Sequence, residues 1–151
     1  MNTEVPIREI MTTDLITIGK QVSAEEIKKK FDTHPFHHLL VVDSTNRLAG
    51  IITKSDFYRF AYNLSLETTG KTWSKKKLSS LRAEDLMSQT PYTLDPDDTI
   101  GLAADLLLTN KFHAIPVVEL DKLVGILTTF DLLDYGYHRT TEEQTAGVID
   151  N

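Results

Sequence analysis

The sequence contains two copies of one motif, and this repeat constrains the fold more than any other feature. Identical residues recur in the same order at a shift of 76 positions, which falls to 75 after one residue is dropped in a turn. The matching pairs are Met11 and Met87, Thr17 and Thr93, Phe36-His37 and Phe112-His113, Val41-Val42 and Val117-Val118, Gly50-Ile51 and Gly125-Ile126, Thr53 and Thr128, and Asp56 and Asp131. Such self-similarity is typical of a duplicated supersecondary unit. We predict repeats at residues 8–66 and 83–138, a basic linker at 67–82 and a polar, frayed tail at 139–151.

The apolar pattern predicts the same order of elements, β-α-β-β-α, in each copy, and therefore a mixed α/β (α+β) fold. Short runs rich in β-branched and other apolar residues predict the strands. These runs are residues 15–18, 39–42 and 48–52 in the first copy and 92–94, 115–118 and 123–127 in the second. Ser23, with Glu26 three residues later, fits the start of the first helix, and Thr99 holds the matching position in the second copy. The second helix of each copy is predicted to begin near Ser55 and near Phe130.

The composition excludes several classes of protein. Because the chain has no cysteine, it has no disulfide framework, thiolate nucleophile or cysteine zinc site. Its net charge of −6 has the opposite sign to that of most proteins that bind nucleic-acid backbones. No apolar run approaches the ~18 residues of a membrane span. The N-terminal residues lack the apolar core of an export signal, so a cytoplasmic location is expected.

The charge is also distributed unevenly between the two halves. Residues 1–75 carry ten basic and nine acidic side chains, whereas residues 76–151 carry six basic and thirteen acidic ones. An anion would therefore bind more easily to the first half.

Three short motifs occur once in each copy. A Met-Thr or Met-Ser pair opens the copy, a His precedes the second strand, and the third strand ends in Gly-x-x-Thr-x-x-Asp. The motif residues are Met11-Thr12 and Met87-Ser88, 37–41 (HHLLV) and 113–117 (HAIPV), and 50–56 (GIITKSD) and 125–131 (GILTTFD). Together these motifs resemble the CBS domain family over residues 8–138, although the first copy lacks the proline that the second copy has at Pro116.

The resemblance implies a tandem pair, or Bateman module, whose two repeats pack through their sheets with pseudo-twofold symmetry and leave two clefts between them. It implies a stand-alone regulatory homodimer rather than an enzyme, which needs no cofactor and signals to a separate protein partner. The implied ligand is an adenine nucleotide or related adenosyl compound: AMP, ADP, ATP or S-adenosylmethionine. The ligand-binding residues that it implies are Ile16, Thr17, Ile18, Leu40, Thr53, Lys54, Asp56, Tyr92, Thr93, Leu94, Pro116, Val117, Thr128 and Asp131.

The Thr-x-x-Asp sequence has two interpretations. An ionised carboxylate, Asp56 or Asp131, can accept hydrogen bonds from both ribose hydroxyls, and the free N–H groups of a helix N-terminus suit a phosphate. Thr53 or Thr128 would then add a hydroxyl beside that phosphate. The same spacing also fits a capping box in a ligand-free dimerisation or scaffold module, where Thr and Asp only satisfy backbone N–H groups. The two roles are compatible, and the residues alone leave both open.

The two copies differ in charge at this motif. Lys54 follows Thr53 in the first copy, whereas Thr129 follows Thr128 in the second. We therefore predict that a charged ligand binds the first copy, and that an uncharged adenosine group suits the second equally well.

Clusters of histidine and of basic residues do not require a metal site or a nucleic-acid site. His34, His37 and His38 are close in sequence, but no further ligand set has metal-binding spacing, so no metal site is predicted. The basic residues between 71 and 82, which include Lys75-Lys76-Lys77, are interpreted as a solvated linker or as a strip that reaches a phosphate tail or an acidic partner. Trp73 would hold this linker against the core.

Two further features concern assembly and catalysis. The second helices carry four aromatic residues that form either a dimer surface or part of the core, Tyr58, Phe60, Tyr135 and Tyr137. No catalytic serine, Walker or dinucleotide-binding motif is present, so the sequence predicts no enzyme activity.

Overall fold

The computed structural model describes the backbone of residues 1–67 and 71–146, and the side chains of residues 1–67 and 75–139 within it. The proposed role of the Trp73 side chain lies outside these described residues. The chain divides into two compact units. One unit consists of residues 16–91, and the other combines residues 1–15 with the chain from residue 92 onward.

The first unit, residues 16–91, is built on a four-stranded sheet. Its elements are β1 (Thr17–Gly19), α1 (Ala24–Thr33), β2 (His38–Val42), β3 (Leu48–Thr53), α2 (Lys54–Glu67), α3 (Lys71–Ser80), α4 (Ala83–Leu86) and β4 (Ser88–Gln89). The strand order is β1-β2-β3-β4. β1 runs parallel to β2, and the other neighbouring strands are antiparallel.

Helix α1 begins at the predicted residue for the predicted reason. The Ser23 hydroxyl accepts a hydrogen bond from the Glu26 N–H at 3.3 Å, which satisfies one of the N–H groups that a helix start leaves without a partner. Ile27 and Phe31 lie one turn apart on the helix and are fully buried. This face fixes α1 on the sheet.

Aromatic rings form the centre of the core in the first unit. The ring centroid of Phe31 lies 5.7 Å from those of both Phe36 and Phe57, in tilted arrangements. Beside them, the Tyr58 hydroxyl on α2 donates to the Asp32 carboxylate on α1, and this bond raises the pKa of Tyr58 to about 12. Tyr58 therefore joins two helices of one unit.

The linker contains a helix that the composition did not predict. α3 is itself rich in Lys, which is a good helix former, and the Ser79 hydroxyl donates to Glu25 on α1 at 2.9 Å. Leu78 packs against the core of the first unit. Tertiary contacts therefore complete a helix in a segment that the sequence analysis described only as a basic linker or strip.

The second unit repeats this arrangement with a reduced sheet. Its elements are a 3₁₀ helix (Ile7–Glu9), α5 (Ile100–Asn110), β5 (Ala114–Glu119), β6 (Lys122–Thr128) and α6 (Thr129–Ala146). β5 and β6 are antiparallel. As predicted, Thr99 caps α5, because its hydroxyl accepts from the Leu102 N–H at 3.2 Å.

The predicted strand at residues 92–94 is reduced to a single bridge, between Leu94 and Val117. The Leu94 N–H donates to the Pro116 carbonyl at 3.0 Å. The next rung of a parallel ladder would need an N–H from Pro116 toward Tyr92, and proline has none. Proline in the second copy therefore shortens the strand that the first copy forms as β1.

Residues 1–15 complete the second unit rather than the first. Thr12 pairs with Ile126 on β6 through hydrogen bonds of 2.9 and 3.0 Å, as Ser88 pairs with Ile51 in the first unit. Ile7 is fully buried, and Arg8 forms an ion pair with Asp97 at 2.6 Å. This ion pair is a further contact between residues 1–15 and the rest of the second unit.

α6 continues into the predicted tail as far as Ala146, and the fraying of that tail stays a prediction. Within the part of the chain that the structure describes, no helix combines the length and the apolar character needed to cross a membrane.

Candidate functional site

The two Thr-x-x-Asp motifs lie where a strand passes directly into a helix. β3 ends at Thr53 and α2 begins at the next residue, and β6 and α6 meet in the same way at Thr128. The backbone carbonyl of His37 accepts from the Lys54 N–H at 2.8 Å, and that of His113 accepts from the Thr129 N–H at 3.0 Å. The residues at positions 37 and 113 therefore help to fix the start of each helix through their backbone carbonyls.

In the first unit, Thr53 caps the helix and Asp56 remains exposed. The Thr53 hydroxyl accepts from the Asp56 N–H at 3.1 Å. The Asp56 side chain is 55% exposed and forms an ion pair with Arg59 one turn along α2. An exposed carboxylate at a helix start is accessible to a ligand with hydroxyl donors.

In the second unit, Asp131 makes more internal hydrogen bonds. One carboxylate oxygen accepts from both the N–H and the hydroxyl of Thr128, each at 2.7 Å, and the Thr128 hydroxyl accepts from the Asp131 N–H at 3.2 Å. The other carboxylate oxygen accepts from the Thr12 hydroxyl at 3.1 Å. This is the reciprocal capping box that the spacing allows, and it ties the N-terminal segment to α6.

A surface depression of about 330 Å³ adjoins Asp131 on the second unit. Glu9, Asp134, His138 and Arg139 are among its lining residues. His138 lies 3.2 Å from Asp134 on the same helix, and the Arg139 guanidinium lies 5.2 Å from the centre of the Tyr135 ring. Carboxylates thus outnumber the basic groups around this motif.

We expect Asp131→Ala to destabilise the protein more than Asp56→Ala does. Loss of the reciprocal cap should cost about 1–2 kcal/mol, whereas the exposed Asp56–Arg59 pair is worth only ~0.3–0.5 kcal/mol. Urea unfolding followed by far-UV circular dichroism measures both values. Equal losses would contradict the asymmetry between the two motifs, and Asp105→Ala on the exposed face of α5 serves as the control.

The remaining predicted site residues are distributed between the two units. In the first unit, Thr17 and Leu40 are paired across β1 and β2, and in the second, Leu94 and Val117 form the bridge described above. The buried members of the predicted set are Ile18, Leu40, Leu94, Pro116 and Val117. The partly or fully exposed members are Ile16, Thr17, Thr53, Lys54, Asp56, Tyr92, Thr93, Thr128 and Asp131. In each unit, the apolar strand residues and the motif threonine therefore lie on one β-sheet. The motif aspartate lies on the helix that follows the last of these strands.

Sequence reasoning missed three polar residues beside the motifs, Thr12, Arg59 and Asp134. The alignment of Met11-Thr12 with Met87-Ser88 was a signal for the first, since it placed a hydroxyl at the same point of each copy. Arg59 and Asp134 occupy equivalent positions but carry opposite charges, so a comparison of identities could not detect them.

The other candidate features are the basic strip on α3, the aromatic residues of α6 and the possible metal ligands. Lys75, Lys76 and Lys77 are exposed on α3, which leaves both interpretations of the basic strip open. Tyr135 is a core residue, whereas Tyr137 is 69% exposed, so the aromatic residues of α6 divide between core and surface. Among the described residues, no group of three or more His, Asp or Glu side chains is arranged to hold a metal ion.

Comparison with known proteins gives consistent matches over nearly the whole chain. The family model described as "CBS domain" matches residues 7–63 and 83–138. The CBS domain of a CBS domain-containing membrane protein from Sphaerobacter thermophilus is 32% identical, with a TM-score of 0.71 over 87% of this chain and 88% of that one. The match therefore extends to the sequence as well as the fold.

Two further solved structures share the fold and were crystallised with ligands. CBSX2, in complex with AMP, is 24% identical with a TM-score of 0.74, and the match covers 89% of this chain and 98% of that chain. A CBS domain pair in complex with 5′-methylthioadenosine and S-adenosyl-L-methionine is 23% identical with a TM-score of 0.68, over 89% and 98% of the two chains. Both likenesses show a common architecture.

Proposed function

The chain belongs to the CBS domain family, and we propose that it is a regulatory module that binds an adenosyl ligand and transmits this state to a separate protein. The observation that carries the proposal is the repeated Thr-x-x-Asp motif at a strand-to-helix junction, with the Asp56 carboxylate exposed beside the cap. A carboxylate in that position suits the adjacent hydroxyls of a ribose. The ligands bound by proteins of the same fold, AMP and S-adenosylmethionine, support the same choice, and ADP and ATP are included in it.

The proposed contacts follow from the chemistry of each group. Asp56 and Asp131 hold ribose hydroxyls, and the N–H groups at the starts of α2 and α6 face the phosphate or other 5′ substituent, with Thr53 and Thr128 beside them. Apolar residues of β1, β2 and their counterparts supply the surface for adenine. We further propose that the module acts as a homodimer and that the ligand is not turned over.

Ligand-free scaffolding is the second candidate function, and one observation favours it. Both carboxylate oxygens of Asp131 already accept hydrogen bonds within the second unit, so the motif there has a structural role without any ligand. Among the described contacts, the Asp56 carboxylate accepts from Arg59 and not from the Thr53 N–H or hydroxyl. The first motif is therefore the better test of ligand binding.

Thermal unfolding of the full chain with AMP, ADP, ATP, adenosine or S-adenosylmethionine tests the proposal. A ligand present at 100 times its dissociation constant stabilises the folded state by ~2.7 kcal/mol, which for a chain of this size raises Tm by roughly 5–10 °C. We expect at least one compound to give such a shift, and we expect Asp56→Ala to weaken the binding by about tenfold or more, a loss of ~1.4 kcal/mol.

Glu67→Ala is the matched control, because it removes the same charge from the other end of α2, roughly 16 Å along the helix. It should bind as the unchanged protein does. A flat response to every compound, together with no nucleotide released on denaturing the purified protein, would reject ligand binding and leave the scaffold. If Asp56→Ala and Asp131→Ala both bind with unchanged affinity while folded, the proposed ribose contacts are wrong.

A further inference from the structure

We propose that the two Thr-x-x-Asp motifs select ligands of different charge: Arg59 favours a phosphate-bearing adenosyl ligand at Asp56, and Asp134 favours an uncharged or cationic one at Asp131. This inference rests on the proposed function, since it assigns a ligand class to each of its two sites.

The two motifs carry opposite charges at equivalent positions. Arg59 and Asp134 are related by the shift of 75 that aligns the repeats, and each lies three residues after the motif aspartate. Residues three apart on a helix are neighbours on one face. The site at Asp56 therefore presents a guanidinium where the site at Asp131 presents a carboxylate. Lys54 adds a second positive charge to the first motif, whereas the second motif has the uncharged Thr129 at that position.

Arg59 is positioned to exchange one anion for another. Its guanidinium contacts the Asp56 carboxylate, which is the group that would accept the ribose hydroxyls. A carboxylate has room for several donors, so ribose hydroxyls can bind Asp56 while the guanidinium stays beside it or turns toward the ligand. The flat, forked set of donors on Arg59 fits the oxygens of a phosphate. At 71% exposure, the side chain has room to turn. A ligand without a phosphate would give Arg59 no additional partner.

The surroundings of Asp131 favour the opposite choice. Asp134 and Glu9 line the depression beside it, and a phosphate there would face three carboxylates including Asp131. The depression also holds two basic groups, His138 beside Asp134 and Arg139 over the Tyr135 ring, but the three carboxylates outnumber them. A neutral thioether or a positively charged sulfonium group on the 5′ carbon avoids this repulsion. The second site should therefore prefer 5′-methylthioadenosine or S-adenosylmethionine to AMP.

Isothermal titration of the full chain with AMP and with 5′-methylthioadenosine tests this assignment, because the two probes share adenosine and differ in the charge at the 5′ position. Each site is studied separately, in an Asp131→Asn background for the first and in an Asp56→Asn background for the second. The quantity measured is the ratio of the two dissociation constants for one variant. An effect of the substitution that weakens both ligands equally cancels in this ratio. Far-UV circular dichroism and a thermal melt establish that the variant is folded.

We expect the first site to bind AMP more tightly and the second to bind 5′-methylthioadenosine more tightly. Arg59→Gln should reduce the preference for AMP at the first site by about tenfold, and Asp134→Asn should reduce the discrimination against AMP at the second site by a similar factor. The controls make the same charge changes elsewhere. Arg47→Gln lies at the opposite end of β3 from the motif, and Asp105→Asn lies on the exposed face of α5.

The outcomes separate this inference from the proposed function. The charge assignment is overturned if Arg59→Gln and Asp134→Asn bind the probes with an unchanged ratio of dissociation constants. Adenosyl binding, the proposed function, would still stand. Equal changes in Arg47→Gln would also overturn it, because the effect would then be one of net charge. If neither probe nor any other adenosyl compound binds the unchanged protein, both the proposed function and this inference fail.

Discussion

Replacing Phe31 by alanine is expected to cost about 3–5 kcal/mol of the free energy of unfolding. Phe31 is fully buried and contacts the rings of Phe36 and Phe57, so its removal leaves a cavity among side chains that cannot easily move together. Urea unfolding at 25 °C, followed by far-UV circular dichroism, gives the value. The loss should appear in the unfolding of residues 16–91, since Phe31 belongs to the core of that unit.

The repeat supplies the matched variants for this experiment. The position equivalent to Phe31 in the second copy is Leu107, which is 3% exposed and belongs to the core of the second unit. Phe31→Leu keeps most of the apolar volume and should cost clearly less than Phe31→Ala. A Phe31→Ala loss below ~1 kcal/mol would mean that the ring does not hold α1 on the sheet.

Gly50→Ala is expected to destabilise the first unit by about 1–3 kcal/mol through overpacking. A Cβ atom at Gly50 would lie 2.6 Å from the Met87 Sδ and 2.7 Å from the Ser88 carbonyl oxygen. The methionine can move, but the carbonyl belongs to the β4 backbone that pairs with β3. Loss of that pairing is the reason for the large effect, and urea unfolding measures it.

The equivalent Gly125→Ala should cost less, and its cost should become small when it is measured against Met11→Ala, since Met11 itself packs on the core and its truncation has a cost of its own. Here a Cβ atom would lie 2.6 Å from the Met11 Sδ, but the nearest backbone oxygen, that of Thr12, is 3.2 Å away. The double variant removes the side-chain clash at Gly125, whereas the corresponding pair of changes at Gly50 and Met87 would leave the clash with the Ser88 carbonyl oxygen. If Gly125→Ala proves as costly as Gly50→Ala, the distinction between side-chain and backbone clashes is wrong.

Local patterns predicted most of the elements because each is fixed by residues close in sequence. Ser23 and Thr99 cap the helices that they were predicted to cap. The second and third strands of each copy match the apolar runs to within about one residue, because those strands are buried and their sequences are uniformly apolar. The motif glycines and aspartates then placed the strand-to-helix junctions correctly.

The elements that were missed depend on distant contacts. Nothing local in residues 1–12 indicates that Thr12 pairs with Ile126. The shortening at residues 92–94 depends on the partner strand, through the missing N–H of Pro116. α3 is completed by contacts with α1, which a Lys-rich stretch does not reveal by itself.

For the candidate site, the sequence identified the motif aspartates but not what surrounds them. Asp131 completes a capping box, whereas at the first motif Thr53 caps the Asp56 N–H and the Asp56 carboxylate pairs with Arg59. Ligand binding stays a prediction at both motifs. The contact of Thr12 with Asp131 spans more than a hundred residues, so spacing does not predict it. Arg59 lies within the three-residue spacing of one helix face, but a search for identical residues in the two copies does not detect it.

The composition of the second unit, residues 1–15 with the chain from 92 onward, has a consequence for synthesis on the ribosome. Residues 16–91 emerge as one continuous stretch and can fold first, although residues 1–15 leave the tunnel before them. Ile7 stays exposed to water until its partners around Asp98 have been translated. At ~5–20 residues per second, the roughly 90 residues between them take about 5–18 s. An apolar segment that is synthesised before residues 16–91 is therefore covered only by residues that are synthesised after them.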